Sequence, residues 1–105
     1  MNEPIDSFRQ RVFNIIAAIP SGHLLTYGDV ASLAGSPRAA RQVGGILSRL
    51  PAGTRLPWHR VVNRHGGISL PADGFQRQKT ALEAEGVEVD TQGFADLNRY
   101  RWTWS

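Results

Sequence analysis

Apolar residues near the start of the chain recur at helical spacing. Phe8, Val12, Ile15, Ile16 and Ile19 share one stripe, while Arg9, Arg11 and Asn14 lie off it. This predicts a scaffold helix capped by Asp6 or Ser7 and running to about Ala18, after a loose lead-in over residues 1–5. Pro20-Ser21-Gly22-His23 reads as a turn with an exposed histidine, followed by a short extended piece at Leu24-Leu25. Thr26 then caps a short helix from Tyr27 to about Ala34, with Asp29 three residues on making it close to a capping box, Asp standing in place of Glu, and Gly35 supplying the stop. Ser36 is expected to cap the next helix, with Pro37 at its first position, and this helix continues to about Leu50. Ala40, Val43, Gly44, Leu47 and Leu50 form its inner face, and Arg38, Arg41, Gln42, Gly45 and Arg49 its outer face. Two helices joined by a short connection read as a helix-turn-helix.

Beyond a loop at residues 51–55, Pro57 directs Trp58 onto a stiff extended approach. Val61-Val62 reads as a strand, Arg64-His65-Gly66-Gly67 as a turn and Ile68-Ser69 as the return strand of a small hairpin. After a loop at residues 70–74, Asp73 is the expected cap of a last helix from Phe75 to Glu85, stopped by Gly86. Phe75, Gln78, Leu82 and Glu85 share its inward stripe. Val87 to Asp90 alternates like a short strand. The tail from Thr91 carries Phe94, Tyr100, Trp102 and Trp104, too aromatic to be wholly disordered. The pattern is that of one mainly α domain, residues 1–105, with a small β-hairpin.

Charge adds a direction. Residues 30–77 hold seven arginines and one acid, so their net charge is 7 − 1 = +6, whereas the remainder has 5 − 8 = −3, which together make the +3 of the chain. Eleven of the twelve basic residues are arginine, the side chain suited to bidentate phosphate and base contacts. The motif-bearing stretch is therefore expected to face nucleic acid. Gly44-Gly45 inside a helix costs about 1 kcal/mol each relative to alanine. That cost implies close approach by another surface, either DNA outside or a helix packed inside. The absence of cysteine excludes disulfides, thiolate metal sites and a cysteine nucleophile. No metal site or cofactor is expected. With no apolar run of membrane length and no signal pattern over Met1 to Gln10, a monomer in the cytoplasm is expected, nucleoid-associated if bacterial.

Three ordered stretches carry a resemblance: Thr26-Tyr27-Gly28-Asp29-Val30-Ala31, Pro37-Arg38-Ala39-Ala40-Arg41-Gln42-Val43-Gly44-Gly45 and Pro57-Trp58-His59-Arg60-Val61, with Glu85-Gly86 downstream. In order and spacing they resemble the O6-alkylguanine-DNA alkyltransferases over roughly Val12 to Val89, with Trp58 where the family has its nucleophilic cysteine. The tryptophan variant is similar to one branch, the alkyltransferase-like proteins, which bind the lesion without repairing it. The resemblance implies a winged helix-turn-helix-like domain that binds duplex DNA containing O6-alkylguanine through the minor groove and directs the lesion to nucleotide excision repair proteins.

It further implies a role for each residue. Arg41 corresponds to the arginine that fills the hole left by a flipped base, and Tyr27 to the tyrosine that rotates the nucleotide. Arg38, Ala39, Ala40, Gln42 and Gly45 complete the DNA-binding set, the two alanines being small enough for a minor groove. Tyr27, Trp58, Arg60, Val61, Pro71 and Ala72 form the implied lesion pocket. Trp58, His59 and Glu85 form a degenerate catalytic site, because a base with no thiol to activate transfers nothing. Leu50 and Pro71 depart from the enzymes, which carry an asparagine and an aromatic residue there. Two rivals remain open at this stage: a weak transferase or hydrolase using His59 with a water, and a winged-helix regulator reading sequence in the major groove.

Overall fold

The computed structural model describes residues 7–103, so Asp6 and Trp104 lie outside the described residues. Helix α1 (Phe8–Ala18) begins where Ser7 accepts a hydrogen bond from the Gln10 N–H. Its stripe enters a core built with α2 (Tyr27–Leu33) and α3 (Ala40–Ser48), around Val12, Ile16, Leu25, Val30, Val43 and Val61. The capping box of α2 forms as expected: the Thr26 hydroxyl accepts from the Asp29 N–H and the Asp29 carboxylate from the Thr26 N–H, both at 3.0 Å.

The start of α3 is later than expected, and α2 supplies the reason. Helix α2 ends in a Schellman motif, in which Gly35 (φ 90°) donates to Ser32 O and Ser36 donates to Ala31 O. Ser36 is thus part of one helix's C-cap and cannot cap the next. Pro37 and Arg38 form a turn closed by Ala39 N–H to Ser36 O, and the helix begins after Ala39, which is buried in the core. The Cβ sites of Gly44 and Gly45 meet no other element, so packing inside the protein does not require either glycine.

The hairpin is corrected. Strand β2 (Val61–Val62) pairs in parallel with β1 (Leu25–Thr26), in register Leu25 with Val61 and Thr26 with Val62. Consecutive strand residues face opposite ways. Leu25 and Val61 therefore enter the first core, and Leu24 and Val62 a second core with Leu82, Val87 and Tyr100. A strand apolar on both faces needs cover on both, which an edge hairpin cannot supply. The turn survives: Asn63 Oδ1 accepts from the His65 and Gly67 N–H groups. The return segment instead bonds to the tail, through Ile68 N–H to Gly93 O and Ala95 N–H to Gly66 O.

Two further expectations shift. Trp58–Arg60 is a 3-10 turn, not an extended approach. Helix α4 (Ala72–Ala84) starts before Asp73, because the Pro71 carbonyl receives the Gly74 and Phe75 N–H groups and closes its first turn. It ends at Gly86 (φ 86°), where Val87 donates to Leu82 O and packs in the same core as Leu82. Residues 87–90 form no strand. The tail is ordered, with a short helix α5 (Leu97–Tyr100), and it docks on the edge of β1 through Leu24 N–H to Tyr100 O and Trp102 N–H to Leu24 O.

Gly66 has φ 82°, and an added Cβ would strike the carbonyl oxygen of Ala95. Gly66→Ala is expected to cost about 3 kcal/mol, the upper end of ordinary point substitutions. Urea denaturation followed by tryptophan fluorescence measures it, and a cost below half of that refutes the contact.

Candidate nucleic-acid interface

The 3-10 turn is held from both sides by α4. Gln78, 1% exposed, donates through Nε2 to the carbonyls of His59 and Val61, each at 3.0 Å. At the end of α4, Glu85 accepts from Arg60 Nη2 at 2.7 Å and Nε at 3.0 Å, from the Gly22 N–H at 3.0 Å, and from His59 Nε2 at 2.7 Å. Arg60 Nη1 donates onward to Ile19 O at 2.7 Å. Burial by itself would raise the Glu85 pKa. The Arg60 guanidinium, the Gly22 N–H and His59 outweigh it and lower the value to about 2. The carboxylate is therefore charged at neutral pH, and His59 presents Nε2–H to it.

This network fixes Trp58, half-buried and edge-on to His59 with ring centroids 6.3 Å apart. The indole forms one wall of a cavity of about 330 Å³ lined by Leu47, Leu50, Pro51, Leu70 and Arg77 among others. Of the residues expected to form the lesion pocket only Trp58 lines this cavity, and Tyr27 does not. Val61 is 1% exposed, so its side chain belongs to the core behind the site. Arg60 spends its donors on Glu85 and Ile19, and Pro71 and Ala72 sit exposed at the start of α4 without lining the cavity. Leu47, Leu70 and Arg77 were not anticipated. Leu47 sat on the inner face of its helix and Leu70 in a loop, and only the tertiary fold turns both toward Trp58.

The outer face of α3 borders an open groove of about 1010 Å³. Arg38, Ala39, Ala40, Arg41, Gln42 and Gly45 all line it, and the fold adds Phe8, Ile46 and Arg49. Ala39 contributes little surface, being 9% exposed. Arg38, Arg41 and Arg49 are exposed and make no ion pair with another described residue, so their charge faces outward. Tyr27 stands apart from this groove at the start of α2. Burial raises its pKa, and a hydrogen bond to Ser69 offsets part of the rise. Arg101 holds that helix start by a bidentate pair with Asp29 at 2.9 and 3.0 Å, a contact across the chain with no local sequence signal. For Asp29, too, burial acts upward, and Arg101 with Thr26 brings the pKa below its ordinary value.

A helix-turn-helix with unpaired arginines along its second helix, beside a tryptophan-walled cavity, is the architecture of a DNA-binding domain. Residues 7–87 match the family described as 6-O-methylguanine DNA methyltransferase, DNA binding domain. The DNA base-flipping protein of Escherichia coli K12 is 67% identical over 102 residues, covering 97% of this chain and 79% of that one. Alkyltransferase-like protein 1 of Schizosaccharomyces pombe is 41% identical over 104 residues, with 95% and 96% covered. The crystal structure of S. pombe Atl1 in complex with damaged DNA containing O6-carboxymethylguanine superposes with a TM-score of 0.83 at 40% identity, over 96% of this chain and 99% of that one. The chain belongs to this methyltransferase DNA-binding family, as one of its alkyltransferase-like proteins.

The Glu85 network makes stability depend on pH. A folded pKa below the ordinary value of 4.5 means the stabilisation is complete above about 4.5 and is lost as pH falls toward 2. Glu85→Gln is expected to cost about 2–3 kcal/mol at neutral pH, by leaving Arg60 half-buried without its counter-charge. It should also flatten the stability profile between pH 2 and 4.5. Guanidinium titrations across that range read both effects, and an unchanged slope refutes the linkage.

Proposed function

We propose that this protein is a damage sensor that binds O6-alkylguanine in duplex DNA, flips the base into the cavity beside Trp58 and holds it without transferring the alkyl group. The carrying observation is Trp58 itself, locked by the Glu85 network onto the wall of a cavity of mixed apolar and polar lining next to the arginine face of α3. Flipping costs a few kcal/mol and is cheaper at a damaged pair. Arg41 fills the vacated space and Tyr27 rotates the nucleotide. The open space above Gly44 suits close approach of a DNA backbone, and at Gly45 only the Arg49 guanidinium is near, at 3.6 Å. The base-flipping relative and the neighbour solved on damaged DNA support this reading.

Transfer to the protein needs a soft nucleophile, and the chain has no cysteine. The indole nitrogen lone pair belongs to its aromatic ring. His59 keeps the carboxylate partner that would orient a catalytic base, but no thiol stands beside it to be activated. A protein that holds a lesion uncured serves as a marker, so the bound complex is passed to nucleotide excision repair proteins. It acts as a single-domain monomer on chromosomal DNA in the cytoplasm.

Titration of one duplex sequence with guanine or O6-methylguanine at the test position decides the reading, which requires tighter binding to the methylated duplex. Arg41→Ala should weaken binding to both duplexes, by about 1–3 kcal/mol as for a good base-edge contact. Unchanged affinity removes Arg41 from the interface.

Trp58→Cys returns a thiol to the position beside His59. Methyl transfer is nevertheless expected to stay negligible. The lost indole leaves a void, and misplacement of the base by about 1 Å costs about 10²-fold in rate. Mass spectrometry after incubation with excess O6-methylguanine DNA is the assay. A stoichiometric gain of one methyl group within minutes refutes this account of the pocket.

A further inference from the structure

The cavity beside Trp58 contains one charged side chain. Leu47, Leu50, Pro51, Leu70 and Trp58 supply apolar walls, and Arg77 stands among them. Arg77 is exposed and makes no ion pair or hydrogen bond within the described residues. Its backbone position is nonetheless fixed, because the next residue, Gln78, is buried and holds the His59 and Val61 carbonyls. An unpaired guanidinium is thereby set at the edge of a cavity of about 330 Å³, whose other walls are largely leucine, proline and tryptophan with Ser48 and Thr54 between them. That is at the small end of ligand pockets, which run from about 300 to 1,000 Å³.

A methyl or other neutral alkyl group needs only the apolar walls. A guanidinium adds selectivity when the group ends in an anion, because its paired N–H donors match a carboxylate. We propose that this pocket favours O6-alkyl groups ending in a carboxylate, with Arg77 as the residue that determines the preference. The inference rests on the lesion-binding reading above, which assigns the alkyl group to this cavity. The competing use of Arg77 is a contact to a DNA phosphate, which carries no information about the lesion.

Four duplexes of one sequence separate these cases, bearing guanine, O6-methylguanine, O6-carboxymethylguanine or its neutral amide, O6-carbamoylmethylguanine. Competition titrations of the intact protein are expected to favour the carboxylate over the amide by about tenfold, the lower end for charge-assisted hydrogen bonds at a solvent-open site. Arg77→Ala should bring that ratio near one while leaving the methylguanine-to-guanine ratio unchanged, and Arg77→Lys should restore part of it. Thermal melts should show both variants folded, since the side chain is exposed. Equal losses on all four duplexes identify a phosphate contact and overturn the proposal, as does a carboxylate-to-amide ratio that Arg77→Ala does not change. Wild-type protein that fails to prefer methylguanine over guanine overturns the lesion-binding reading itself, and this inference falls with it.

Discussion

One carboxylate ties together the parts that make the site. Glu85 receives hydrogen bonds from a side chain of each of two consecutive residues, His59 and Arg60, and from the backbone of Gly22, some sixty residues away in sequence. Arg60 extends the connection to the carbonyl of Ile19 at the end of α1. The end of α4, the turn after α1 and the 3-10 turn carrying Trp58 are therefore one mechanical unit. Its charges are satisfied, and among the described residues no buried side-chain polar atom lacks a partner. A half-buried ion pair with this many donors is costly to break by removing one member, because the other charge stays behind.

Around that unit the fold separates its tasks. The parallel ladder of β1 and β2 sends alternate residues into two cores, so a pair of two-residue strands organises most of the buried apolar surface. The docked tail secures the edge of β1, and Arg101 clamps Asp29 at the start of the Tyr27 helix. Acidic residues are thus largely used in holding the scaffold together. The arginines on the outer face of α3 are left without ion pairs among the described residues, so that face carries uncompensated positive charge, which a polyanion would neutralise.

Much of this was legible along the chain because it is local. The α1 stripe, the Thr26–Asp29 box, the Gly35 and Gly86 stops and the inward placement of Gln78, Leu82 and Glu85 depend on spacings of three and four. The misreadings came where a residue had two possible local uses. Ser36 is a fair N-cap by type, but the Schellman motif of α2 had already taken it. Val61-Val62 beside a good turn suggests a hairpin, but its apolarity on both faces demands a central position. At the site, the outer face of α3 could be read from helical phase. The cavity wall could not, because Leu47, Leu70 and Arg77 meet Trp58 only through tertiary packing. Arg101 on Asp29 was likewise beyond any local pattern.

The same arrangement bears on how, under the proposed function, reaction chemistry is lost while the site geometry stays intact. In a thiol enzyme, a histidine backed by a carboxylate would be read as the base that activates the nucleophile. Here the contacts give both groups a second occupation that does not depend on a nucleophile. Glu85 joins three segments, and His59 caps one side of that junction while its ring meets the edge of Trp58. The Trp58 indole itself faces the cavity, and no hydrogen bond of the network passes through its side chain. Position 58 can therefore exchange a thiol for an aromatic wall without disturbing Glu85, Arg60 or Gln78. Each buried methylene of an alkyl group placed against that wall contributes about 0.8 kcal/mol, so a few carbon atoms offset much of the cost of unstacking a base. On the proposed reading, an indole in place of a thiol changes the pocket wall and not the frame behind it, which Glu85 and Gln78 hold.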